Sequence, residues 1–174
     1  MNSMAAPLHK IVSGGQTGVD RGALDAAIEA DVPHGGWCPR GRRAEDGAVP
    51  DEYQLTPTDS YDYTVRTERN VLDSEGTLIL CRGALSGGTK LTRELAKTSK
   101  RPVFIVDLKH VDLKHVDSKQ DGEDPESAVQ DVLRWLRDHE ISVLNVAGPR
   151  ESQQPGIALA AHEFLRDVLS KALG

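Results

Sequence analysis

Short apolar runs alternate with amphipathic segments from one end of the chain to the other, which is the rhythm of βα units and of a parallel sheet. Strands are expected at Leu8–Ser13, Gly36–Cys38, Thr77–Cys81, Pro102–Val106 and Ser142–Val146. Each run is short and mostly apolar, as strands covered on both faces are. The segment Val19–Ala30 puts Leu24, Ala27 and Ile28 on one helical face and Asp20, Asp25 and Glu29 on the other. Ala128–Arg137 is a clearer helix, with Val129, Val132, Leu133 and Leu136 at i, i+3, i+4 and i+7, and Pro125 upstream where a first turn accepts proline. A final helix carries Ile157, Ala161, Phe164, Leu165 and Val168 on one stripe, and Tyr61–Leu72 and Thr89–Lys97 supply two more. The expected fold is α/β, a mostly parallel sheet of about five strands flanked by helices.

Two regions break the pattern. Pro39–Ser60 contains three prolines, Gly41 and Gly47 and little periodicity, so a long loop is expected; loops of that length are often functional, and a lid is one role open to it. Further on, Asp107-Leu108-Lys109-His110-Val111 is repeated at once as Asp112-Leu113-Lys114-His115-Val116. A duplicated surface connection is the plain account, since lengthening a loop costs little closure entropy. His110 and His115 alone lack the further ligands a metal needs.

At 174 residues and 38% apolar content, the chain can bury one core, and residues 1–174 are expected to form a single ligand-binding domain. A net charge of −6 argues against a nucleic-acid partner held by a basic face. No apolar stretch reaches the length of a signal-peptide core or membrane span, so no membrane partner and a cytoplasmic location are expected. Cys38 and Cys81 are far apart and outside any C-x-x-C spacing, so buried free thiols, not a zinc site, are expected.

The candidate chemistry lies where strands end. Gly14-Gly15-Gln16-Thr17-Gly18 joins the first strand to its helix, where unpaired N–H groups and the positive end of the helix dipole favour an anion. Arg82-Gly83-Ala84-Leu85-Ser86-Gly87-Gly88-Thr89 follows the third strand, and Gly148-Pro149-Arg150-Glu151-Ser152 follows the last. In a parallel sheet these turns share the carboxyl edge, where ligands bind at a reversal of strand order. The residues expected to bind are Gly14, Gly15, Gln16, Thr17, Gly18, Arg82, Ser86, Gly87, Gly88, Thr89, Gly148, Arg150 and Ser152, with the two arginines pairing with phosphate. Glycine after a strand is ordinarily turn chemistry, and the recurrence at three equivalent places is what favours binding.

Other residues divide between ligand and ordinary roles. Arg40, Arg42 and Arg43 could close over an acidic ligand or pair with Glu45 and Asp46. Arg66 and Asn70 share a helix face that reads as an exposed ion-pair surface, and Trp37 reads as core before it reads as a stacking platform. Neither G-x-G-x-x-G with its later acidic residue nor G-x-x-x-x-G-K-[ST] occurs, so neither an NAD-dependent enzyme nor a P-loop NTPase is expected. No G-x-S-x-G elbow is present, and covalent hydrolysis lacks a nucleophile.

Together the segments SGGQTGVDRGALDAA, PHGGWCPRGRRAEDG, RTERNVLDSEGTLIL, SGGTKLTREL and NVAGPRES resemble the molybdenum carrier family. That family is a branch of the Rossmann-like superfamily that also includes lysine-decarboxylase-like and phosphoribohydrolase proteins. The resemblance spans nearly the whole chain. It implies a Rossmann-like three-layer fold, a homo-oligomer, and storage or transfer of the molybdenum cofactor, a phosphorylated pterin, at the strand-end crevice. A molybdoenzyme or cofactor-biosynthesis protein would be the partner. The phosphoribohydrolase relatives carry P-G-G-x-G-T-x-x-E, and the similar stretch here, Ser86 to Glu94, lacks the leading proline and third glycine. Glu94 is the catalytic candidate only if the chain is an N-glycosidic hydrolase acting on nucleoside monophosphates. A sensor of a nucleotide-derived ligand is the third reading.

Overall fold

The computed structural model describes residues 8–109, 111 and 124–174. In chain order the elements are β1 (Lys10–Val12), α1 (Val19–Glu29), β2 (His34–Gly35), β3 (Trp37–Cys38), β4 (Arg43–Ala44), β5 (Gly47–Ala48), β6 (Thr56–Pro57) and α2 (Tyr63–Leu72). They continue with β7 (Gly76–Cys81), α3 (Gly87–Thr98), β8 (Val103–Asp107), α4 (Pro125–Asp138), β9 (Val143–Ala147) and α5 (Ile157–Leu173). Five strands form one parallel sheet in the order β2-β1-β9-β7-β8. With its helices, this is the Rossmann-like α/β architecture expected from the sequence.

Local chemistry explains most of the elements. Every residue of β7 is buried, which is why its sequence is an apolar run with no alternation. At the start of α4, Asp124 accepts the Glu126 N–H at 3.3 Å and Pro125 fills the first turn, so the helix begins ahead of its apolar stripe. The stripe itself, Val129, Val132, Leu133 and Leu136, is buried in the main core with Phe164, Leu165 and Val168 of α5.

Two expectations change. The strand expected at Gly36–Cys38 is not in the main sheet: His34–Gly35, just upstream, pairs with β1, while Trp37–Cys38 pairs with Thr56–Pro57. The cause is Gly36, whose φ of 130° turns the chain between them. The tandem pentapeptide is also more than a surface connection, because Leu108 and Val111 of its first copy are buried in the main core. His110, His115 and the whole second copy lie outside the described residues.

The aperiodic segment 39–60 is well packed. Ala44, Val49, Tyr53 and Leu55 form a small second core with Leu24 and Cys38. The Arg42 guanidinium holds this segment together by donating to the carbonyls of Val49, Pro50, Tyr53 and Leu55 at 2.8–3.1 Å. Arg42 is therefore a structural cross-link and is unavailable to a ligand. The Tyr53 hydroxyl donates to Asp25 at 2.7 Å, fastening the segment to α1.

The last strand lies at the centre of the sheet, between β1 and β7. Reading the β9–α5 unit first turns the order into 3-2-1-4-5, the opening part of the doubly wound dinucleotide-fold order. The turn after β9 thus stands where the first, phosphate-facing turn of that fold stands. The reversal of strand order falls between β9 and β7.

Candidate functional site

A cleft of about 290 Å³ opens at that reversal. The turn after β1 contributes Gln16 and the start of α1 Asp20, while the end of β9 contributes Ala147 and the turn after it Gly148, Arg150 and Gln153. The start of α3 contributes Gly88, Thr89, Leu91 and Thr92. The fourth wall is α2, through Tyr63, Thr64, Arg66 and Thr67. All three turns anticipated from the sequence therefore reach one place.

Three arginines gather on Tyr63 at the cleft, of which Arg66 and Arg150 line it. The guanidinium carbons of Arg150, Arg43 and Arg66 lie 4.9, 5.4 and 5.8 Å from the centre of the Tyr63 ring. Cations so placed are attracted to the ring face, which holds three like charges near one another. Two carboxylates oppose them. Asp20, buried, accepts from Arg66 Nη1 and from the Gln16 N–H at 3.3 and 3.2 Å. Burial pushes the Asp20 carboxyl above its ordinary value, although Arg66 and the Gln16 N–H pull the other way. Glu45, from the β4–β5 hairpin, accepts hydrogen bonds from the hydroxyls of Thr17 and Ser152 and lies 3.9 Å from Arg150 Nη1.

Two buried donors at this site have no protein partner, Arg66 Nε and Gln16 Nε2. The Gln16 carbonyl oxygen is occupied by the N–H groups of Thr17 and Glu45 at 3.1 and 2.9 Å. Ser86 at the N-cap of α3 makes no side-chain cap, so the first N–H groups of that helix have no side-chain acceptor beside the cleft. By contrast, the start of α5 is taken, since Glu151 accepts from the N–H groups of Gly156 and Ala158.

The sequence-expected residues separate into distinct roles. Gln16, Gly88, Thr89, Gly148 and Arg150 line the cleft, while Thr17 and Ser152 lie at its rim on Glu45. Gly14 leaves room for Arg66, because a Cβ there would fall on the guanidinium. Gly15 is packed by Val49 and Leu55 and does not face the cleft. Gly18 lets the turns after β1 and β9 touch, and its neighbour Val19 donates to the Pro149 carbonyl at 3.2 Å. Ser86 and Gly87 are exposed at the start of α3. Arg82 is directed elsewhere: its guanidinium donates to the Pro155 carbonyl at 3.0 Å, and its backbone is paired with the Gln154 amide.

Glu94 is exposed, pairs with Arg93 at 2.7 Å and does not line the cleft. The α3 residues that do line it include Thr89 and Thr92, neither of which supplies a carboxylate. Trp37 lies outside the lining, with its indole N–H on Asp73 at 2.6 Å and Arg69 stacked over its ring at 4.6 Å. Burial raises both thiols above their ordinary value, Cys81 to about 11. Among the described residues, no group of three or more His, Cys, Asp or Glu could hold a metal ion. No helix there is long and apolar enough to cross a membrane.

The wall that sequence reasoning missed is α2. Tyr63, Arg66, Thr67 and Asn70 follow i, i+3, i+4 and i+7, the spacing of a buried stripe, but with polar side chains. Thr67 and Asn70 are buried, and Asn70 clamps the Trp37 backbone through both ends of its amide, at 2.7 and 3.0 Å. A helix stripe that is polar and regularly spaced was the available signal.

The description of the circularly permutated YpsA SLOG family matches residues 11–169. Among solved structures, the chain is similar to a protein from Syntrophus aciditrophicus SB described as a "putative molybdenum carrier protein". The two are 44% identical over 94% of this chain and 96% of that one, with a TM-score of 0.83. No match is found among curated proteins.

Proposed function

From the premise that the chain belongs to the circularly permutated YpsA SLOG family, we propose that it binds a phosphorylated heterocycle in this cleft and serves as a carrier or store for the molybdenum cofactor. The observation that carries the reading is the convergence of Arg43, Arg66 and Arg150 around Tyr63, beside the uncapped start of α3. Guanidiniums offer paired donors to phosphate, and free helix N–H groups add neutral donors without a further desolvated charge. Thr89 and Thr92 supply hydroxyl hydrogen bonds to an uncharged ring, Thr92 as an acceptor because its own proton goes to the Gly88 carbonyl at 2.9 Å. The work is binding and release, with no bond broken, to a molybdoenzyme or a cofactor-biosynthesis protein as recipient. A homo-oligomer acting in the cytoplasm is part of this proposal.

Protein purified from a cofactor-producing host is expected to carry molybdenum near one equivalent per binding site, with the fluorescence of an oxidised pterin released on denaturation. Protein that arrives free of both, and stays free when incubated with the cofactor, overturns the reading. So does catalytic release of ribose 5-phosphate from nucleoside monophosphates that Glu94→Gln abolishes.

Gly88 offers a second check. A side chain there meets no atom within 4 Å and the backbone is helical, so Gly88→Val leaves the fold intact while projecting into the cleft beside Thr89. The expected result is an unchanged circular dichroism melt and at least about a tenfold loss of ligand affinity by calorimetry, as steric exclusion from a tight polar site gives. Unchanged affinity would move the ligand away from α3.

A further inference from the structure

We propose that Glu45 is an internal stand-in for the ligand: its carboxylate occupies an oxyanion subsite built by Thr17, Ser152 and Arg150, and a tetrahedral oxyanion on the ligand takes that place by displacing it. This deepens the proposed function and rests on its anionic ligand, though not on which heterocycle bears the anion.

The donor set is that of an anion site, assembled from two turns. The Ser152 hydroxyl donates to Glu45 Oε2 at 2.6 Å, and the Ser152 N–H points to Oε1 at 3.4 Å. The Thr17 hydroxyl donates to Oε1 as well, and its own oxygen accepts the Glu151 N–H at 3.3 Å, which fixes its direction. Arg150 stands between this subsite and the cleft, 3.9 Å from Glu45 on one side and stacked on Tyr63 on the other. These hydrogen bonds hold the Glu45 carboxyl below the usual range, so the group seated there is an anion.

The surroundings are built for exchange at one side chain. The hairpin that carries Glu45 is fastened on both sides of it, by buried Ala44 and by Asp46, whose carboxylate receives Arg21 Nη1 at 2.5 Å and Nη2 at 2.8 Å. Glu45 can therefore swing out while the hairpin stays. Next to the subsite, Gln16 is 4% exposed, lines the cleft and leaves its buried Nε2 without an acceptor. An incoming oxyanion has more acceptor oxygens than the carboxylate it replaces, and Gln16 holds a donor ready for one.

The consequence is selectivity. A tethered carboxylate competes at an effective concentration on the order of mM, so a free carboxylate gains little by replacing it, whereas a dianion gains a charge against Arg150, Arg43 and Arg66. Removing Glu45 removes the competitor.

The test is titration of Glu45→Ala and Glu45→Gln with inorganic phosphate and, separately, with molybdate, by calorimetry at low ionic strength. Both variants should bind at least one probe about tenfold more tightly than the parent, the rise expected when a tethered competitor is lost. The probe that gains identifies which oxyanion the subsite prefers. Adding Ser152→Ala to Glu45→Ala should return the affinity toward the parent value. Equal or weaker binding of both probes by both variants, with parental circular dichroism, overturns the proposal and makes Glu45 a structural clasp or a direct ligand contact. Failure of the pterin to co-purify would overturn the choice of cargo and leave a tightened oxyanion affinity standing.

Discussion

Asp20→Ala will lower the melting temperature by roughly 6–12 °C, the equivalent of about 3 kcal/mol in a chain of this size. The side chains of Asp20 and Arg66 are 6% and 14% exposed, and the guanidinium Nε already lacks a partner. Taking away the carboxylate leaves a nearly buried cation with only the Tyr63 ring and cleft water, and breaking one side of such a pair typically costs about 3–5 kcal/mol. The lower figure applies because Arg66 borders an open cleft. The double variant Asp20→Ala/Arg66→Met should recover most of the loss, because it removes both desolvated charges together. A double variant no more stable than Asp20→Ala would show that the pair itself, and not the stranded cation, carries the stability.

The same pair has a pH signature. Burial raises the folded-state value of Asp20 from 3.8, so this group favours the fold fully below that value and loses the contribution as pH rises through the folded value. Asp20→Asn, which keeps an acceptor but never ionises, should therefore gain stability relative to the parent as pH rises through that window. Thermal melts of the two proteins across the acid range read the sign directly.

Gly18→Ala is expected to be as damaging for a different reason. Gly18 has φ 85° and ψ −132°, a conformation essentially reserved to glycine, at a cost of about 1–3 kcal/mol for another residue. A Cβ there would also fall on the Pro149 carbonyl oxygen and come within 2.7 Å of the Glu151 nitrogen and 2.8 Å of the Arg150 carbonyl carbon. These are backbone atoms that cannot rotate away, and overpacking of this kind adds about 1–3 kcal/mol. The melting temperature should drop by roughly 6–12 °C and ligand binding should vanish, since Arg150 and Ser152 move with the displaced turn. Gly88→Ala is the matched control, a glycine of the same cleft with open space around it, and it should melt at or slightly above the parent. Equal losses in the two variants would contradict the assignment of Gly18 as a spacer.

What the sequence disclosed follows from which forces are periodic. Leu78 to Leu80 are legible because burial on both faces makes an unbroken apolar run, and the stripe from Val129 to Leu136 because burial of one helix face imposes a repeat on it. The segment 39–60 is not, because a single guanidinium at Arg42 gathers four carbonyls whose positions have no period. Trp37–Cys38 has the composition of a strand, yet one glycine sends it out of the sheet. In the site, Gly88, Thr89 and Arg150 stand where turn chemistry at strand ends indicated. Arg66 was hidden because a polar helix face ordinarily faces water, and Glu45 because nothing in an anion site's sequence signals that an anion of the protein itself sits there.

The central position of β9 also sets an order of events during synthesis. On a chain emerging from its N-terminus, β1 and β2 can pair early, as can β7 and β8, but β1 and β7 have no contact in the ladder until β9 enters between them. Two half-sheets with open inner edges must wait for the last part of the chain, a state that invites pairing with other chains. Gly148, Arg150 and Ser152 arrive with that same segment, so the nascent protein has no cleft before its sheet is closed. A message truncated before β9 yields no smaller version of this fold, only two edges without a centre.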